Sequence, residues 1–224
     1  MPAERITYRF HLPDGVESVT LLFDTTSFTL CPEAGGTPPD WAHLDFHRCG
    51  HCPLPQTTPF CPFAAAFSGF VADFDRFYSY EEALIEVETR TRTIVARKPL
   101  QHAVASLIGL IGATSGCPHL AFYRPMARFH LPFARDDETL YRVFSMVLLS
   151  RFLENGTMDL AALTTHAAAA CEVNHGMAER LRAAFRKDVM VNAIITLDSF
   201  AQAVPLVIED RLNELRALFG LPEL

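Results

Sequence analysis

Residues 41 to 61 gather three of the six cysteines, Cys49, Cys52 and Cys61, and three of the nine histidines, His43, His47 and His51. Even scatter would place fewer than one of each in so short a stretch. Thiolates and imidazoles concentrated in a loop are the donors that a soft or borderline metal takes. The Cys49-x-x-Cys52 spacing lets one turn of backbone deliver two sulfurs to one ion, and Cys61 follows after eight intervening residues. A distant cysteine must complete a four-sulfur set, and Cys117 is the candidate. The expected metal ligands are therefore Cys49, Cys52, Cys61 and Cys117.

Zinc is the first expectation, because a tetrahedral site of four thiolates is closed and staples a loop to a core. A [4Fe–4S] cluster is the alternative. Proline follows three of these cysteines, in Cys52-Pro53, Cys61-Pro62 and Cys117-Pro118, and proline after cysteine is familiar in iron–sulfur ligand runs. His47, His51, His119 or His130 could replace one sulfur in a Cys3His set. The competing reading is separate buried thiols, each a small apolar residue. For Cys171, in an alanine-rich helix, that competing reading is the better one.

A second constellation follows Cys117-Pro118-His119: Arg124, Arg128, His130 and Arg135. Guanidinium groups there could bind a small anion or a protein partner. They could also lower the pKa of Cys117 and make it a thiolate nucleophile, with His119 or His130 as base. The plainer expectation is that these arginines pair with Asp136, Asp137 and Glu138 and cap structure. His166, Cys171 and His175 fall on different faces of one helix. Phosphate loops, G-x-S-x-G, H-E-x-x-H and dinucleotide fingerprints do not occur in the sequence. Whether the protein is an enzyme is left open.

The chain that must position these residues has 224 residues, 50% hydrophobic and 20% charged, with a net charge of −7. That length supports a real core. The acidic balance argues against nucleic acid as a partner, since neutralising phosphates needs clustered Lys and Arg. The N-terminus lacks the apolar run of a signal peptide. The longest apolar runs, near Ala103 to Ala113 and Val143 to Leu149, fall short of the roughly 20 residues of a membrane span. No membrane association and a cytoplasmic location are expected. In a reducing compartment, thiols or metal ligands are expected rather than disulfides.

Alternation predicts a hairpin from residues 5–12 and 16–23 around Pro13-Asp14-Gly15, and a short third strand over 27–31. Glu82 to Ala96 alternates again and predicts one long strand joining the same antiparallel sheet. Helical spacing predicts helices over Pro62 to Tyr80 and from Pro99 to about Ala113. Further helices are expected from Asp136 or Asp137 to Asn155, from Asp159 to Lys187 with a bend near Gly176, over Val189 to Ala203, and from Pro205 onward. The last carries Ile208, Leu212, Leu215 and Phe219 as one stripe, for the sheet or for a second subunit in a homo-oligomer. The expected class is α+β: a small antiparallel sheet from the N-terminal half plus a helical C-terminal half. Residues 1–132 would form a β-rich metal-site region with two helices, and 133–224 a helical region fused with it into one globular unit.

Three segments carry a resemblance: Cys49-x-x-Cys52-Pro53-Leu54, Ser115-Gly116-Cys117-Pro118, and Pro125-Met126-Ala127-Arg128-Phe129-His130-Leu131-Pro132-Phe133. Together they resemble an uncharacterised bacterial family of domains of unknown function, over most of the chain. The resemblance implies no activity, cofactor or partner, and supports treating the two cysteine segments as one site.

Overall fold

The computed structural model describes residues 3–32, 36–206 and 208–222. Strands β1 (Ala3–Leu12) and β2 (Gly15–Asp24) form the expected hairpin. The stretch read as one long strand is a second hairpin, β3 (Glu82–Glu88) and β4 (Thr93–Pro99). The chain reverses at Thr89–Arg92, where the Thr89 hydroxyl donates to the Arg92 carbonyl and accepts from the Arg92 N–H. The inward side chains are Ala83, Ile85 and Val87 on β3 and Ile94 and Ala96 on β4, so the alternation shifts by one position across the turn. All pairings are antiparallel, in the order β2-β1-β3-β4. The expected third strand over 27–31 is instead a single bridge, Phe23 to Leu30.

One sheet face carries Tyr8, Phe10, Val19, Leu21, Phe23, Ile85 and Val87, all buried. The other is wet and held by ion pairs such as Arg9–Glu88 at 2.7 Å. The inner face packs on α1 (Pro62–Phe74) and α2 (Leu100–Thr114). The phenylalanine stripe of α1 is core: Phe63, Phe67, Phe70 and Phe74 are buried, with Phe10 and Phe74 ring centroids 4.9 Å apart. That helix ends at Phe74, earlier than the pattern suggests. Asp75 accepts the backbone N–H groups of Arg186 and Lys187 across the fold instead of extending it.

The C-terminal half holds α3 (Arg124–Arg128), α4 (Asp136–Asn155), α5 (Ala161–Ala184), α6 (Val189–Leu206) and α7 (Ile208–Leu218). Helix α4 starts at Asp136, so its cap lies one residue before the expected aspartates. Arg135 is its cap residue and donates its N–H to Glu138 at 2.8 Å. Gly156 ends it at φ 75°, the left-handed cap that glycine allows. Helix α6 continues through Pro205 to Leu206, so the proline does not start the last helix. Residues of α5 and α6, including Val173, Met177, Leu181 and Ile194, enter the same core as the sheet. A smaller cluster joins Leu140, Val143, Phe144, Val147, Leu163 and Ala167, and Leu212 and Leu215 of the α7 stripe pack against it. Among the described residues, no helix is long and apolar enough to cross a membrane.

Candidate metal centre

The cysteine loop is closed at its base by backbone pairing. His43 and Phe60 form an isolated bridge, Leu44 N–H donates to Pro59 O, and Cys61 N–H donates to Ala42 O. Within the loop, Cys52 N–H donates to Cys49 O at 3.1 Å, the tight turn implied by C-x-x-C. Arg48 reaches back to the carbonyls of Cys52 and Leu54. Cys61 is the N-cap residue of α1, followed by Pro62 in the first turn.

Cys117 arrives from the opposite side, on the turn after α2. Gly116 takes φ 90°, and Cys117 N–H donates to the Ser115 hydroxyl at 3.3 Å. Burial raises its thiol pKa above the ordinary value, and the backbone N–H groups of Leu120 and His119 only partly oppose that shift.

Cys49, Cys52, Cys61 and Cys117 line one cavity of about 20 Å³, closed by His47, Pro62, His119 and, from α5, Val173, Gly176, Met177 and Arg180. All six cysteines are free thiols. Burial pushes the Cys49 thiol up to about 12, and the nearby Cys61, Cys117 and Cys52 push it the same way. The four sulfurs therefore share one electrostatic environment. Among the described residues, no three His, Cys, Asp or Glu side chains are drawn together tightly enough to hold an ion as they stand.

Arg180 is the member of this site that sequence reasoning missed. It is 2% exposed. Its Nη1 donates to the carbonyls of Trp41 and His43, the latter at 2.6 Å, and its Nη2 to Leu44 O at 3.4 Å. Burial lowers its pKa from the ordinary guanidinium value, while Cys61, Cys49 and Cys52 oppose that shift. No carboxylate pairs with it among the described residues. Gly176 is the second missed member: a Cβ there would lie 3.0 Å from Cys49 Sγ. The two share one face of α5 four residues apart. Helix α5 runs unbroken through Gly176, so the glycine makes room and marks no helix end.

The family profile of a domain of unknown function, DUF6901, matches residues 6–220. The chain belongs to the DUF6901 family. Neither curated proteins nor solved structures give a match.

The histidines of this DUF6901 chain separate into three places. His47 and His119 line the thiol cavity. His51 lies beside it, stacked on His119 with ring centroids 3.9 Å apart, and its backbone carbonyl is 3.0 Å from His119 Nε2. His130 is elsewhere: its Nε2 is 2.5 Å from the Tyr8 hydroxyl and it lines a different cavity. A Cys3His set using His130 is thereby corrected, because its ring is committed to the sheet. For the same reason His130 is no base for Cys117, and burial raises the Cys117 pKa above the ordinary thiol value.

The arginines after Cys117 do not converge. Arg128 donates twice to Thr25 O at 3.1 Å, and Arg135 pairs with Asp137 at 2.6 Å. The capping role expected for Arg135 holds, and Arg128 is spent on the Thr25 carbonyl. His166 stacks on Phe122 at 3.6 Å, away from Cys171, which faces Asp198.

Proposed function

We propose that this protein is a metal-binding protein in which Cys49, Cys52, Cys61 and Cys117 hold one zinc ion. The metal staples the 43–61 loop to α1, α2 and α5.

The observation that carries this reading is Arg180. A guanidinium cannot shed its proton in a protein, and an uncompensated buried charge is expensive. The anions available to it are the cysteine sulfurs. Neutral thiols give it nothing, whereas thiolates held ionised by a metal supply the counter-charge. Four thiolates around a divalent ion carry two net negative charges, and Arg180 removes one of them.

Zinc is preferred to a [4Fe–4S] cluster because the cavity of about 20 Å³ has room for roughly one water-sized atom. An eight-atom cluster would have to move the walls. A nucleophilic role for Cys117 is disfavoured by its burial and its raised pKa.

The test is elemental analysis of protein purified with and without air. One zinc per chain in a colourless protein, lost in Cys52→Ser and Cys117→Ser but kept in Cys31→Ser, is the expected result. Iron with acid-labile sulfide, or no metal, would overturn it.

A further inference from the structure

A second and larger cavity, about 500 Å³, lies among α2, α3, α4, α5 and α6. It falls within the roughly 300–1,000 Å³ of sites for small organic molecules. Its wall is mostly apolar, from residues such as Phe63, Leu120, Met126, Leu163 and Phe200. α5 divides the two sites: Ala167, Ala170 and Asn174 face this cavity, and Val173, Gly176, Met177 and Arg180 face the thiols.

Polar groups interrupt the apolar wall. Asn174 is 5% exposed, lines the cavity, and has no side-chain hydrogen-bond partner among the described residues. Buried amides are almost always paired, and the Asn174 amide opens onto this cavity. Tyr8 Oη lies 2.5 Å from His130 Nε2 and 3.0 Å from Ser106 Oγ. With the phenol donating to Nε2, the neutral imidazole carries its proton on Nδ1, which has no protein partner among the described residues. Arg142 spends Nη2 on the carbonyls of Met126 and Phe129, at 2.8 and 3.0 Å. Its Nε and Nη1 make no hydrogen bond among the described residues, and its charge is close enough to act on His130. Lys98 and His102 also line the cavity, and Asp136 is the one carboxylate among the described lining residues.

We propose that this cavity binds a small organic acid, an apolar acyl chain or ring ending in one carboxylate. Arg142 and the His130 Nδ1–H take the carboxylate, and the apolar walls of α2, α5 and α6 take the body. The proposal does not depend on the metal reading, since the two cavities share no polar residue.

The experiment is calorimetric titration of the full chain with decanoate and with decanol. Decanoate should saturate a single site at least about tenfold more tightly than decanol, because a charge-assisted pair exceeds that margin. Arg142→Gln should bring decanoate down to the level of decanol. Ala170→Phe, which fills the space, should abolish both. Equal affinity for acid and alcohol, absence of saturable binding, or binding that survives Ala170→Phe would overturn the proposal. The wild-type comparison decides the matter even if a variant fails to fold.

Discussion

Gly176 Cα and Cys49 Sγ approach so closely that a Cβ on the glycine would lie 3.0 Å from the sulfur and 3.5 Å from His47 O. Glycine inside a helix costs about 1 kcal/mol relative to alanine, so elsewhere in α5 Gly→Ala would stabilise. At this position the added methyl displaces a proposed ligand. We expect Gly176→Ala to gain no thermal stability and to release zinc to a chelator faster than wild type. Gly176→Val should lose about 1–3 kcal/mol through overpacking. Thermal melts with and without chelator check both; a plain gain of stability in Gly176→Ala would contradict the close approach.

Arg180 ties α5 to the loop through three carbonyls, those of Trp41, His43 and Leu44. Arg180→Met removes the charge and the side-chain donors to these carbonyls, although His43 O keeps the Phe46 N–H. Breaking a buried charge arrangement from one side costs about 3–5 kcal/mol. Arg180→Lys keeps the charge but not the planar fork and should recover only part of the loss. Urea denaturation measures it, and a loss under about 1 kcal/mol would mean the sulfurs do not depend on the guanidinium.

His130 sets an acid limit on stability. Burial lowers its pKa from 6.5 to about 3, with Arg142 acting in the same direction. Below its ordinary value the unfolded chain takes up a proton that the folded chain refuses, so unfolding is favoured as pH falls. The stabilisation is complete above pH 6.5 and is lost progressively toward pH 3. Between pH 6.5 and pH 5 the loss is about 2 kcal/mol. The stability difference between wild type and His130→Gln should shrink by that amount over the same interval in urea titrations. A difference independent of pH would show that the ring is already charged in the fold.

The thiols should separate into two classes toward alkylation. Cys31 and Cys171 lie outside the shared cavity, and Cys171 is slowed because burial and Asp198 raise its pKa to about 11. Cys31 should label first in native protein. The four clustered cysteines should label only after a chelator is added, and then together. Mass spectrometry of the labelled chain reads this directly; early labelling of Cys117 in native protein would favour the nucleophile.

The grouping of Cys49, Cys52, Cys61 and Cys117 was legible because thiols are rare and a short loop holds three of them. The fold class was legible because burial imposes periods of 2 and 3.6 on strands and helices. The Thr89–Arg92 turn was not, since its residues include no glycine or proline and the one-position shift in the alternation falls among polar side chains. Arg180 escaped notice because a lone arginine on a helix usually faces water, and only tertiary packing puts it among sulfurs. Gly176 was visible, but its purpose was not: a glycine that bends a helix and one that admits a neighbour look alike in one dimension. His130 read as a potential ligand because its type fits zinc, while its true partner, Tyr8, lies 122 positions away.

X-ray absorption at the zinc edge on the full chain tests the central claim most directly. The account predicts a single shell of four sulfurs at about 2.3 Å, falling to three sulfurs or to no bound zinc in Cys117→Ser. A shell of nitrogen and oxygen, or one unchanged by Cys117→Ser, would contradict it.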